Sequence, residues 1–238
     1  MILFKKITEL THFLAKKKKN GNLIGFVPTM GALHNGHLSL IAQCKMQNTI
    51  TVSSIFVNPT QFNQAKDFEK YPVTLENDIN LLEKAGCDVL FLPSVTEIYP
   101  NGIANLPQYQ LGYLETVLEG KYRPGHFQGV CQVVHRLLDI VQPNNLYLGQ
   151  KDYQQCMVIK KLVEITNLNI NIVVGSTLRE ANGLAMSSRN MRLNDDERKK
   201  AVKIAETLFF EAEYLSIIPL RDKIFKDFNM YLADYGEI

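Results

Sequence analysis

The fold is decided by Phe26-Val27-Pro28-Thr29-Met30-Gly31-Ala32-Leu33-His34-Asn35-Gly36-His37. The apolar run over residues 23–27 predicts a buried strand, which Pro28 is expected to stop. Beyond it, Leu38, Leu40, Ile41 and Cys44 recur at helical spacing. A strand, a glycine-bearing turn and the first turn of a helix follow from this pattern. Free backbone N–H groups at such a helix start attract anions, phosphate above all. His34 and His37 fall on one face of the turn. Paired imidazoles there can hold a triphosphate and stabilise charge as its α-phosphate is attacked. Gly36 leaves room for a nucleotide close to the backbone. The chain has neither a Gly-x-x-x-x-Gly-Lys-Ser/Thr phosphate loop nor a Gly-x-Gly-x-x-Gly fingerprint, so those two routes to a nucleotide are absent. His12, outside any such setting, reads as an ordinary packed or solvated histidine.

Outward from this stretch, strands and helices alternate. Residues 7–19 read as an amphipathic helix. Lys16 to Lys19 and Gly21 suit its C-terminal end, cations for the dipole and glycine for the cap, rather than a nucleic-acid patch. The β-branched run 49–57 predicts a second strand, ending in Asn58-Pro59-Thr60-Gln61-Phe62. A helix over 75–85 and a strand over 88–92 come next. Residues 112–118 fit a strand or a short helix equally, and 121–127 read as a loop. A helix over 130–141, a strand over 146–148, Gly149-Gln150-Lys151-Asp152, a helix over 153–166 and a strand over 170–174 complete the pattern. The predicted fold class is α/β: a Rossmann-like parallel sheet with helices on both faces. In such sheets, groups just past the C-terminal strand ends lie where ligands bind. After Gly175 the chain becomes polar and then helical and charged. A boundary near Ser176 divides it into a Rossmann-like nucleotide-binding domain (1–176) and a smaller, mostly helical C-terminal lid domain (177–238).

Composition limits the function. The 238 residues are 46% hydrophobic and 21% charged, enough for real cores. A net charge of +2 gives no global field for nucleic acid or membrane. No apolar run is long enough to span a bilayer, and the N-terminus shows no signal-peptide pattern. The cysteines, Cys44, Cys87, Cys131 and Cys156, are scattered and make no zinc set, so reduced thiols in the cytoplasm are expected.

Three segments carry phosphate-compatible groups: His34 with His37, Lys151, and Ser187-Ser188-Arg189. Together they point to a nucleotide site. In sequence order, five motifs then stand out: Pro28-Thr29-Met30-Gly31-Ala32-Leu33-His34-x-Gly36-His37, Phe56-Val57-Asn58-Pro59-x-Gln61-Phe62, Arg123-Pro124-Gly125-His126-Phe127, Gly149-x-Lys151-Asp152-x-Gln154-Gln155 and Met186-Ser187-Ser188-Arg189-Asn190. This series closely resembles the pantothenate synthetases, the pantoate–β-alanine ligases of the coenzyme A pathway. The likeness runs from about residue 25 to about residue 193. His-x-Gly-His alone would indicate only the wider nucleotidyltransferase superfamily.

The resemblance implies two half-reactions with ATP as co-substrate and Mg²⁺ accompanying it. (R)-Pantoate attacks the α-phosphate, giving pantoyl adenylate and pyrophosphate. The β-alanine amine then attacks the activated carbonyl, giving pantothenate and AMP. By motif position, Met30, Gly31, Ala32, Leu33, His34, Asn35, Gly36 and His37 would line ATP. His34, His37 and Lys151 would be catalytic, with His37 the family's proton donor. Gly149, Gln150, Lys151 and Asp152 would hold ribose and phosphates, and the Leu178 backbone would face adenine. Gln61 and Gln155 would bind pantoate, with Gln61 bordering β-alanine. Met186, Ser187, Ser188 and Arg189 would close over ATP, resembling the signature loop of class I aminoacyl-tRNA synthetases. With little apolar surface to pin that loop, the Arg189 fork and the serine hydroxyls are expected to lack protein partners until ATP arrives. Asp78 would lie in the Mg²⁺ region. A homodimer is implied as well, and no nucleic acid or membrane partner.

The sequence departs from the family pattern in places. Val73 stands where Arg is expected, Gly175-Ser176-Thr177-Leu178 lacks a proline and is a residue short, and the second domain ends early. The alternative is an adenylyltransferase of the same superfamily that forms no amide. Neutral Gln61 and Gln155 argue against it, because a phosphorylated acceptor would ask for cations there. A non-catalytic binding protein is disfavoured by the intact His34, His37, Lys151 and Arg189.

Overall fold

The structure is a computed structural model describing residues 1–62 and 68–210. Six strands form one parallel sheet: β1 (Ile2–Phe4), β2 (Ile24–Thr29), β3 (Ile50–Ile55), β4 (Val89–Phe91), β5 (Asn145–Gly149) and β6 (Asn171–Gly175). Their spatial order is β1-β4-β3-β2-β5-β6. From β2 the chain builds outward to β3 and β4 on one side, then returns to add β5 and β6 on the other. The direction of winding therefore reverses between β2 and β5, and the crevice beyond their C-terminal ends is where open α/β sheets bind ligands.

The period-2 alternation of β2 sends Phe26 and Val27 to opposite faces. Phe26 joins Leu10 and Leu14 of α1 (Ile7–Lys19), Val130, Leu137 and Leu138 of α4 (His126–Val141), and Ile159 and Leu162 of α5 (Tyr153–Ile165). Val27 joins Leu40, Ile41 and Cys44 of α2 (Asn35–Gln47) and Leu82 of α3 (Leu75–Lys84). Both faces of the sheet are thus covered, as the sequence predicts. All four cysteines are buried and free. Burial pushes the Cys44 and Cys156 thiols up to about 11, and those of Cys87 and Cys131 up to about 12.

Pro28 does not stop the strand. It lies inside β2 and pairs in register with Ser54. The reason is the side it faces. Thr29 accepts the Phe56 N–H on the β3 side, whereas Ile24 accepts the Asn144 N–H on the β5 side. Alternation puts Pro28 on the β5 side, where strand pairing ends at Phe26. Its missing N–H costs the sheet no bond there. The expected loop 121–127 is also partly helical: residues Glu119–Tyr122 form one turn, and α4 starts at His126 after a left-handed Gly125 (φ 79°). Residues Gly112–Glu115 resolve into a 3₁₀ turn. Strand β1, on the sheet edge, is additional to the sequence expectation.

The chain divides into two compact units, Met1–Ser176 and Thr177–Ile238. The described part of the second unit holds an antiparallel bridge between Arg179 and Ala185, a 3₁₀ turn (Ser188–Arg192) and α6 (Asp195–Phe210). Asn194 and Glu197 cap α6 reciprocally, and Arg198 pairs with Glu180 at 2.6 Å. The charged, helical run expected beyond residue 210 lies outside the described residues.

Candidate active site

His34 is the N-cap of α2. Its Nδ1 accepts the Gly36 N–H at 3.1 Å, while His37 Nδ1 accepts the His34 N–H at 3.3 Å. Two histidines thus form the reciprocal cap that Ser and Glu usually make. The His37 N–H is taken by the His34 carbonyl at 2.8 Å. The expectation that free backbone N–H groups attract the anion therefore fails at Gly36 and His37, whose N–H groups are internally used. The caps have a chemical consequence. Each Nδ1 accepts from a backbone donor, so the proton of each neutral imidazole sits on Nε2. The stretch presents two Nε2–H donors, with ring centroids 4.1 Å apart.

The turn before the helix is held from below. Asp78 on α3 is 1% exposed and accepts the Ala32 and Leu33 N–H groups at 2.9 and 2.8 Å, one on each carboxylate oxygen. Thr74 adds a hydroxyl at 3.1 Å. Gly31 (φ 83°) and Ala32 (φ 50°) are both left-handed, and a Cβ on Gly31 would come within 3.0 Å of the Asp78 carboxylate. The side chains of Ala32 and Leu33 are buried. Both residues can therefore offer a nucleotide only carbonyl oxygens and backbone shape, not the side chains or N–H groups that lining ATP would suggest.

Lys151 follows β5, across the β2/β5 crevice from the histidines. It is exposed, and its Nζ lies 3.6 Å from Asp152. Its charge reaches both histidines. Burial, then Lys151, holds His34 below the usual imidazole value, against a weaker upward pull from Asp152. Burial, then His34 and Lys151, lowers His37 to about 3. Both are neutral at pH 7, so His37 acts as an Nε2–H donor, and a proton-donor role requires triphosphate charge to raise its pKa. The sign for stability follows. The unfolded chain takes up the His37 proton near pH 6.5, the folded chain only near 3, so stability falls as pH drops below 6.5. From this residue the loss should reach about 2 kcal/mol by about pH 5. Urea midpoints at about pH 7.5 and about pH 5 check it: His37→Asn, whose amide oxygen keeps the cap acceptor, should show a smaller drop than wild type.

Beyond β3, Gln61 ends a 3₁₀ turn (Pro59–Gln61) capped by Asn58. Gln61 Nε2 reaches the Met30 sulfur at 2.8 Å, so the structure brings Gln61 against the start of the histidine turn. Asn58 is 1% exposed. It donates to Gln61 Oε1 at 3.3 Å and to the Gly129 carbonyl at 3.1 Å, and accepts from Tyr99 at 2.9 Å. Its part in holding the turn was not readable from sequence, because Tyr99 and Gly129 are 41 and 71 residues away. Gln155, in the first turn of α5, is half-buried and makes no side-chain hydrogen bond among the described residues. The neighbouring Gln154 is instead committed to the carbonyls of Leu114 and Val117 and the N–H of Glu119.

In the second unit, the Leu178 carbonyl accepts the Met186 N–H at 3.0 Å. Ser187 caps the following 3₁₀ turn by accepting the Arg189 N–H, Ser188 is buried, and Asn190 donates to Glu180 and to the Ala185 carbonyl. The expectation that the serine hydroxyls and Arg189 lack protein partners fails: Ser187 caps the turn, since a 3₁₀ start leaves an N–H to be capped, and neither Ser188 nor Arg189 is without a partner.

The family model for pantoate-beta-alanine ligase matches residues 2–234. The pantothenate synthetase of Azobacteroides pseudotrichonymphae genomovar. CFP2 is 48% identical over 233 residues, covering 96% of this chain and 82% of that one. That of Aquifex aeolicus is 51% identical over 203 residues, covering 85% and 71%. A crystal structure of pantothenate synthetase from Thermus thermophilus superimposes with a TM-score of 0.88 at 40% identity, covering 97% and 83%. The Francisella tularensis pantoate-beta-alanine ligase, complexed with beta-gamma ATP and beta-alanine, gives 0.86 at 45%, covering 95% and 86%. With sheet, turn and histidine pair in place and these matches spanning nearly all of the sequence, the chain belongs to the pantoate-beta-alanine ligase family.

Proposed function

We propose that this chain condenses (R)-pantoate with β-alanine, using ATP and passing through pantoyl adenylate, with pyrophosphate and AMP released. One observation carries the proposal: two Nε2–H imidazoles follow β2 and Lys151 follows the neighbouring β5, at the reversal point of the sheet. A carboxylate and an amine at neutral pH form a salt, not an amide, so the carboxylate must first acquire a leaving group. Adenylation supplies it. Such chemistry asks the protein for positioning and for charge neutralisation where charge develops. Neutral donors and one ammonium meet that need. The Francisella tularensis relative, which holds beta-gamma ATP and beta-alanine, supports both as ligands here.

In this reading the first unit binds nucleotide and pantoate, and the second supplies the lid. Gln61 and Gln155 hold pantoate through neutral amides, which suits a substrate with hydroxyls and one charge. Mg²⁺ arrives with the ATP phosphates and neutralises part of their charge. Among the described residues no group of three or more His, Cys, Asp or Glu could hold a metal. Asp78 is the chain's candidate contact: its Oδ1 accepts from Leu33 and Thr74, and its Oδ2, which accepts from Ala32, keeps a lone pair. Among the described residues no helix is long and apolar enough to cross a membrane. Free buried thiols suit a reducing cytoplasm, and a homodimer completes the reading.

The test is two product assays. Pyrophosphate release should require pantoate, and AMP release should then require β-alanine. Pyrophosphate release with no AMP on adding β-alanine would instead favour an adenylyltransferase. The lid has its own check. Saturation with Mg-ATP and pantoate should slow hydrogen exchange across residues 186–190, because phosphate adds partners to Arg189 and the serines. Unchanged protection there removes the lid role, whatever the kinetics of Arg189→Ala.

A further inference from the structure

The Arg123-Pro124-Gly125-His126-Phe127 motif has no place in the chemistry above, yet the structure sets it against Gln61. His126 is 5% exposed, and its Nδ1 lies 2.8 Å from the Gln61 carbonyl oxygen. Arg123 approaches the same oxygen at 3.4 Å. Arg123 also lies 3.2 Å from His126 Nε2 and 2.6 Å from Glu119. A carbonyl only accepts, so His126 Nδ1 carries a proton and donates it to Gln61. Its Nε2 lies between Arg123 at 3.2 Å and the Glu119 carboxylate at 3.8 Å. His126 thus donates from Nδ1, the nitrogen from which His34 and His37 accept. On the next turn of α4, a Cβ on Gly129 would fall 2.3 Å from the Thr60 carbonyl oxygen and 2.8 Å from the Gln61 nitrogen. Helix and turn are in direct backbone contact.

We infer that His126, set by Arg123 and Glu119, is a positioning residue that fixes the Gln61 main chain and so aims the Gln61 amide into the pantoate pocket. The inference rests on Gln61 being a pantoate contact. Asn58 steadies the Gln61 side chain at its amide oxygen, and His126 holds the main chain at its carbonyl. Released at the carbonyl, the 3₁₀ turn would be free to rotate and carry the amide with it. ATP, on the histidine side of the crevice, would be little affected.

The test uses the two amides that imitate either imidazole nitrogen. Asn places its N–H near the Nδ1 position, and Gln places its own near Nε2. His126→Gln should raise the pantoate KM about tenfold, as loss of one aligned hydrogen bond does. The ATP KM should stay within about twofold. His126→Asn should recover most of that loss at a similar urea midpoint. Arg123→Lys, which keeps the charge but loses the fork, should raise the pantoate KM by a smaller factor without altering the buried histidine, and it decides the matter if His126→Gln does not fold. Gln61→Ala is the reference. If Gln61→Ala raises the pantoate KM while His126→Gln and Arg123→Lys do not, the positioning role is overturned. Equal rises in both substrates' KM, or no recovery in His126→Asn, would also overturn it in favour of plain structural support. If Gln61→Ala leaves the pantoate KM unchanged, it is the reading of Gln61 that fails.

Discussion

His37→Ala should cut the rate of pantoyl adenylate formation by about a hundredfold or more, with ATP affinity changing far less. Removal of one preorganised donor at a site of developing charge typically has that effect. The donor here is Nε2–H, set by the His34 N–H bonded to Nδ1. It needs no proton uptake to act, and with its pKa lowered to about 3 it stays neutral through the ordinary working range. A second substitution separates the donor from the cap. His37→Gln keeps an N–H near the Nε2 position and loses the Nδ1 acceptor, so it should retain more activity than Ala. His34→Ala should resemble His37→Ala in rate and should also lose helix stability, because it leaves the Gly36 N–H without its cap. Single-turnover formation of adenylate, followed by pyrophosphate release, measures all of this. Wild-type rates in His37→Ala would remove the histidine from the chemistry.

What the sequence disclosed about this site was local. The β2 run, the glycine turn and the α2 spacing sit within a few residues of one another, and periodicity reads them directly. Pro28 misled because its consequence depends on which neighbour its nitrogen faces, which only the pairing shows. Strand β1 escaped because three residues, mostly exposed, carry no period to detect. The histidine motif was plain, but the fate of its N–H groups was not. An imidazole capping its own helix is an unusual use of the residue, and neither composition nor spacing signals it. His126 was visible only as a motif member, since the carbonyl it holds lies 65 residues away. Gln61 and Gln155 came from the resemblance, and their geometry shows why sequence reasoning separates them poorly. Gln61 is held by Asn58, whereas Gln155 makes no side-chain hydrogen bond among the described residues.

Asp78→Ala should be the most damaging single change beneath the turn, costing about 3 kcal/mol or more. Two buried N–H groups, those of Ala32 and Leu33, lose their acceptors together, and each such loss costs about 1–3 kcal/mol. The carboxylate also holds Ala32 in a left-handed conformation that a residue with a Cβ adopts reluctantly. Nothing in the local sequence would restore that conformation, because Asp78 reaches the turn from α3, 45 and 46 residues away. The near-isosteric Asp78→Asn makes the sharper test. Whichever way its amide is turned, its NH₂ must face one of the two backbone donors, so Asn should lose most of what Ala loses despite filling the same space. A side chain retained merely for bulk would predict the reverse, with Asn close to wild type. Urea midpoints of the two variants decide between bulk and hydrogen bonding. The magnesium role leaves a separate trace. If Asp78 also approaches the cation, both variants should raise the Mg²⁺ concentration needed for half-maximal adenylate formation. If it serves the turn alone, the rate should fall at every Mg²⁺ concentration and the half-maximal point should not move. Turn and catalysis are then linked in one direction. Asp78 fixes Ala32 and Leu33, these place the His34 cap, and the cap orients both Nε2–H donors at the crevice.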